Sequence, residues 1–148
     1  MEIKLNLKIL FFCTLQLFFL LQIGGCITGS SSGDDTRSKL VTNSLLSEAI
    51  EAIELEDYTK AEFRLQRAMR LDAANPEIYY HLASLRLFQN KANEALGFAE
   101  RGLRFTKSDP DIAFRLWVIL AVTRERLGDV EGAIRARERA NRLYRDPL

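Results

Sequence analysis

Histidine occurs once, as His81, and cysteine twice, as Cys13 and Cys26, in a chain of 148 residues. Clustered His and Cys ligands for a metal are excluded on that count, and the sequence has neither a glycine-rich phosphate loop nor a nucleophile elbow. Carboxylates at Glu51, Glu54, Asp57, Glu94 and Glu100 have the spacing of solvated helix faces, not of an acid–base pair. No enzyme, metal or cofactor is expected. Net charge is also lacking: 21 Lys and Arg stand against 20 Asp and Glu, so no global field points to nucleic acid. The basic last segment has no aromatic platform on which bases would stack. Missing too is a run of about 20 apolar residues long enough to span a bilayer.

What the chain does have is helical periodicity that repeats. Asn75 is a good N-cap, Pro76 suits the first helical position where its missing N–H costs nothing, and Glu77 complements the helix dipole. Ile78, Tyr79, Leu82, Ala83 and Leu85 then recur at helical spacing up to Gln89. A polar break at Asn90-Lys91 precedes a second helix whose stripe, Ala95, Leu96, Ala99, Gly102 and Leu103, is small enough for close packing. This is a helix hairpin. Its opening recurs as Asp109-Pro110-Asp111, 34 residues after Asn75, and Ala61 precedes Ala95 by the same 34. Ala133 follows Ala95 by 38, and the four extra residues amount to one more helical turn in the third hairpin's first helix. The first hairpin is expected as helices from Leu40 to Leu55 and Tyr58 to Leu71, packed through Leu45, Leu46, Ala49, Ile50, Ala52, Ile53, Phe63, Leu65, Ala68, Met69 and Leu71.

A period of 34 is that of the tetratricopeptide repeat, and the chain resembles that family over roughly Val41 to Asp146. The large-Leu-small motif of the first helix stands here as Tyr79-Leu82-Ala83 and Trp117-Leu120-Ala121. The turn stands as Glu56-Asp57-Tyr58 and Gly128-Asp129-Val130. The small positions of the second helix stand as Ala61 and Ala68, Ala95 and Gly102, and Ala133 and Ala140. Leu45 and Glu48, Arg86 and Arg124, and Ala73, Lys107 and Arg145 depart from the pattern at a large aromatic and a Leu, at Tyr, and at the closing proline. The resemblance implies an all-α fold, a short α-solenoid of about three hairpins at 42–75, 76–109 and 110–147 within a domain at 40–148. It also implies a non-catalytic binding groove built from first helices. By register its lining is Asn43, Ile50, Glu77, Tyr80, His81, Ser84, Phe88, Arg115, Val122 and Arg126, a mixture suited to a protein or peptide partner. The carboxylate clamp of chaperone-binding members is not reproduced, since Leu46, Ile50 and Ile119 fall where it needs polar or basic side chains.

Ahead of this domain, Lys4 and Lys8 precede a Leu- and Phe-rich run from Ile9 to Ile23, the pattern of a signal peptide over 1–25. Ile23-Gly24-Gly25-Cys26 resembles the bacterial lipobox, which implies lipidation at Cys26 and removal of everything before it. Ile27, not Asp, follows the cysteine, which resembles lipoproteins sent to the outer membrane and facing the periplasm. Residues 26–39, with Gly29-Ser30-Ser31-Ser32-Gly33, are expected as a flexible tether. The function expected is therefore a membrane-anchored interaction adaptor or scaffold. The alternatives are an assembly factor for a type IV pilus or secretin-type machine and, behind it, a cell-wall enzyme or its activator.

Overall fold

The computed structural model describes residues 32–107 and 109–145, which fall in the unit of the chain that begins at Ser32. The expected signal peptide, Cys26 and the start of the expected tether lie outside the described residues. Six helices follow one another: α1 Ser32–Glu54, α2 Tyr58–Leu71, α3 Pro76–Phe88, α4 Ala92–Leu103, α5 Pro110–Arg126 and α6 Val130–Arg145. Among the described residues there is no strand, and no helix is long and apolar enough to cross a membrane.

Local chemistry sets the boundaries. Asn75 Oδ1 accepts from the Glu77 amide at 3.0 Å, and Asp109 Oδ1 accepts from Asp111 and Ile112 at 3.1 and 3.2 Å, so each cap satisfies orphan amides behind a proline at the helix start. Within the hairpins, Asp57 and Asp129 cap α2 and α6. The turns are copies of one another. Glu56, Asn90 and Gly128, separated by 34 and 38 residues, all adopt positive φ (58°, 59° and 80°). In each, the next amide returns to a carbonyl five residues back: Asp57 to Ala52, Lys91 to Arg86, Asp129 to Arg124, at 2.8 to 2.9 Å. This is the left-handed helix stop that glycine adopts without a Cβ penalty. α5 has 17 residues against 13 in α3, which accommodates the longer repeat step as expected.

One expectation is corrected at the N-terminus. Residues Ser32 to Lys39, assigned to the tether, are helical and make α1 23 residues long. Asp35 falls in its first turn, where the helix dipole favours negative charge. Asp35 also pairs with Lys39 at 2.8 Å, and Ser38 Oγ donates to the Leu71 carbonyl at the end of α2. Polar residues suffice here because the helix is already nucleated downstream and needs only propagation.

Leu45, Leu46, Ala49 and Ala52 of α1 pack with Ala61, Leu65 and Ala68 of α2 and with Ile78, Leu82 and Leu85 of α3. Ala83 of α3 then joins Ala99, Leu120, Ala121 and Ala136 in a second cluster that reaches α6. Both clusters take residues from α3, so the core passes from repeat to repeat. Phe63 and Leu71, expected in it, are 56% and 44% exposed because Ala61, Leu65 and Ala68 already turn the other side of α2 inward.

Tyr79 is fully buried, stacks on Phe105 at 5.4 Å and donates to the Ala73 carbonyl at 2.7 Å. Arg86, where the family pattern has Tyr, is 6% exposed and holds three helices together. Its Nη1 and Nη2 grip both oxygens of Glu62 on α2 at 3.0 and 2.6 Å, while Nε meets Glu94 on α4 at 2.6 Å. Arg124 repeats the device with Glu100 on α4, again 24 residues back, and with Asp129 in the turn. The bidentate, partly desolvated Arg86–Glu62 pair fixes orientation, whereas Arg124 makes single contacts. The pairing with Glu62 holds the Arg86 proton more tightly and the Glu62 carboxyl below its usual range.

Gly97 and Gly102 lie five residues apart on α4 in opposite circumstances. A Cβ at Gly102 would come within 2.9 Å of Leu116 and Tyr79, whereas one at Gly97 would meet nothing within 4 Å. Gly97→Ala should therefore raise stability by about 0.5–1 kcal/mol through helix propensity. Gly102→Ala should lower it by about 1–3 kcal/mol through overpacking. Urea denaturation of the two variants should move the midpoint in opposite directions, and two upward shifts would mean the α4–α5 contact is looser than described.

Candidate functional site

The helices meet asymmetrically. α1 touches α3 and α3 touches α5, but no two of α2, α4 and α6 touch, so the array bends with its first helices on the inner, concave side. On that side a cavity of about 450 Å³ opens, lined by Ile50, Ile53 and Glu54 of α1, Tyr80, His81, Ser84, Leu87 and Phe88 of α3, and Ile119 and Arg126 of α5. Every lining residue comes from a first helix.

Six of the ten residues expected from the resemblance meet there: Ile50, Tyr80, His81, Ser84, Phe88 and Arg126. Glu77 and Arg115 sit beside the cavity as an ion pair between α3 and α5, with the Arg115 guanidinium 4.2 Å from the Tyr80 ring centre. That cation is already engaged by a carboxylate and a ring. Asn43 is exposed on α1 and is not part of the cavity lining, and Val122 borders a separate hollow with Phe114, Val118 and Arg137 between α5 and α6. Ile53, Glu54, Leu87 and Ile119 complete the lining and were missed as site residues. Glu54 precedes Phe88 by 34 residues and Ile119 follows His81 by 38, so the repeat period itself carried the signal for two of them.

The polar atoms are largely committed. Ser84 Oγ donates back to the Tyr80 carbonyl at 2.9 Å, and Arg126 Nη1 donates to the Leu87 carbonyl at 2.7 Å, joining α5 to the end of α3. Phe88 is 59% exposed and stacks on Tyr58 at 6.2 Å, which makes it a presented ring and not part of the core. His81 meets the Tyr80 ring edge-on at 5.0 Å and lies 3.9 Å from Glu77. Burial, and secondarily the charge of Arg115, push its pKa down to about 4. At neutral pH the site presents an uncharged imidazole, two aromatic rings and an aliphatic floor, with Glu54 and Arg126 as the charged members of its lining. It is shaped to take an apolar side chain, and among the described residues no group of His, Cys, Asp and Glu could hold a metal.

The depressed His81 pKa has a stability consequence. An unfolded chain takes up the proton near pH 6.5 while the folded one resists to about 4, so acidification across that window favours unfolding. Between pH 7.5 and 5, stability should fall by up to about 2 kcal/mol from this group, while carboxylates remain mostly ionised. His81→Gln should flatten the change in urea midpoint over that range, and an equal fall in both proteins would exclude His81 as its source.

Comparison with known proteins agrees with this architecture. A family model described as tetratricopeptide repeat matches residues 52–116. The globular C-terminal domain of P. aeruginosa LpoP is similar at 34% identity with a TM-score of 0.65, the match covering 68% of this chain and 94% of that one. The N-terminal domain of stress-induced protein-1 (STI-1) from C. elegans is similar in fold at 20% identity and TM-score 0.63, over 72% of this chain and 89% of that one. So is the second TPR of Spaghetti (RPAP3), solved bound to an HSP90 peptide, at 17% and 0.67, over 75% and 98%. A search of curated protein sequences gives no match. Caps, turns and small residues that return at one period, and a 34% identical relative spanned almost end to end, lead to one assignment: the chain belongs to the tetratricopeptide repeat family, a protein–protein interaction scaffold.

Proposed function

We propose that this protein is a lipid-anchored adaptor of the bacterial cell envelope that holds a protein partner through the concave cavity. The observation that carries the binding half is the cavity itself: a largely apolar hollow lined only by first helices, with Phe88 exposed and the Ser84 hydroxyl bonded internally. Such a site gains by burying an apolar anchor residue. Of the two arginines at the site, Arg115 is held by Glu77, while Arg126 gives a hydrogen bond to the Leu87 carbonyl and is the one cation in the lining. The anchoring half is supported by the lipobox resemblance at Ile23-Gly24-Gly25-Cys26. Similarity to a domain of a bacterial protein is in keeping with it. Placement in the outer membrane, facing the periplasm, follows from Ile27 after the cysteine.

Both halves can be tested in cells. A photo-crosslinking amino acid at Ser84 should yield a discrete adduct with a protein partner, and Phe88→Ala with Ile50→Asp should remove that adduct while leaving helical circular dichroism unchanged. An adduct that survives both changes in a folded chain would move the binding surface elsewhere. Cys26→Ser should leave unprocessed precursor and abolish incorporation of labelled palmitate, and undiminished labelling would defeat the anchor assignment.

A further inference from the structure

The second helices carry a regularity that the cavity does not use. Arg67, Arg101 and Arg139 stand at one position of α2, α4 and α6, separated by the same 34 and 38 residues that relate the turns, and Arg70, Arg104 and Arg142 repeat three residues later. All six are exposed, on the side of their helices away from the buried Ala61, Ala95 and Ala133. None makes an ion pair with a described residue, whereas Arg64, Arg86, Arg115, Arg124, Arg135 and Arg137 each hold a carboxylate. Arg101 alone of the six has a neighbour of note, the Tyr79 ring at 5.3 Å. The adjoining position holds Gln66, Glu100 and Glu138. Glu100 is turned to Arg124, which leaves Glu138 as the one carboxylate there without an ion pair among the described residues.

A solvated face needs no register, and a chain with almost balanced charge has acids enough to pair these groups. Their alignment, one pair of arginines per repeat, instead forms a ladder of unneutralised guanidinium groups on the convex side, opposite the cavity. Guanidinium binds phosphate oxygens in a planar, two-point fashion. We propose that this ladder lies against the anionic phospholipid headgroups of the membrane that carries the protein. The proposal rests on the anchored reading above. Only residues 27–31 separate Cys26 from the start of α1, a chain reach of about 20 Å. The correction to the tether therefore keeps the domain near any bilayer holding Cys26. Lying on its convex side, the domain would turn the cavity outward.

Trp117 is the single tryptophan and serves as an intrinsic donor. The full chain, purified from membranes, is reconstituted into vesicles of phosphatidylcholine alone or with one part phosphatidylglycerol in about three, each carrying a dansyl-labelled headgroup. Energy transfer from Trp117 should be about twofold or more higher in the anionic vesicles at low salt and fall to the neutral level in high salt. Replacing all six arginines by Gln should remove the difference without changing helical circular dichroism, and the salt dependence of the native chain decides the matter even if that variant folds poorly. Equal transfer in the two vesicles overturns the proposal, as does a folded six-Gln chain that keeps the difference. If the vesicles are equal but soluble poly-glutamate binds the native chain and not the Gln variant, the face belongs to an acidic protein and the lipid assignment falls. Lipid attachment is scored separately by palmitate labelling, so failure of the anchor and failure of the ladder are told apart.

Discussion

A hairpin of two short helices has too little of its own surface to cover its apolar side, so it must bury that side on a neighbour. Everything else here depends on how closely the neighbours approach. Ala61 and Ala68, Ala95 and Gly102, and Ala133 and Ala140 are buried at the crossings, and at Gly102 the fit leaves no room for even one added carbon beside Leu116 and Tyr79. Small residues on the second helices draw the first helices of the next repeat down onto them. The first helices then contact one another while the second helices stay apart, and the side on which they meet becomes concave.

Charge is divided between two tasks by where it sits. Arg86 and Arg124 occupy positions between repeats and are matched by Glu62, Glu94 and Glu100 drawn from the helices on either side. A lone buried guanidinium would be costly, whereas one gripped from two helices fixes their rotation. The exposed acids Glu51, Glu54 and Glu56, in and just after α1, meet no such constraint.

The sequence displays the parts of this fold that rest on local chemistry. Asn75 and Asp109 reveal helix starts because their side chains bond the adjacent amides, and the 34-residue step reveals the hairpins because packing repeats with them. Polarity alone is a poorer guide. Ser32 to Lys39 contains almost nothing to bury and so reads as tether, yet extending an existing helix needs no core of its own. Phe63 and Leu71 are apolar but lie on the wrong side of α2, a matter of rotation that hydrophobicity does not encode. At the cavity, register locates Ile50, Tyr80, His81, Ser84, Phe88 and Arg126, which share the inward face of three successive first helices. Asn43 and Val122, named by the same register, are not in that lining, and Val122 faces a hollow between α5 and α6 instead. Arg86 is visible as a departure from the family pattern, but its meaning requires seeing that Glu62 and Glu94 converge on it from helices before and after.

The hydrogen bond from Arg126 to the Leu87 carbonyl spans the cavity floor from α5 to the C-terminal end of α3. The Arg115–Glu77 pair ties the same two helices. Two struts at separate heights fix both the spacing and the tilt of the walls before anything enters. A ligand would therefore encounter a cleft of set width, and the entropy of association would be lost almost wholly by the ligand and hardly at all by the array.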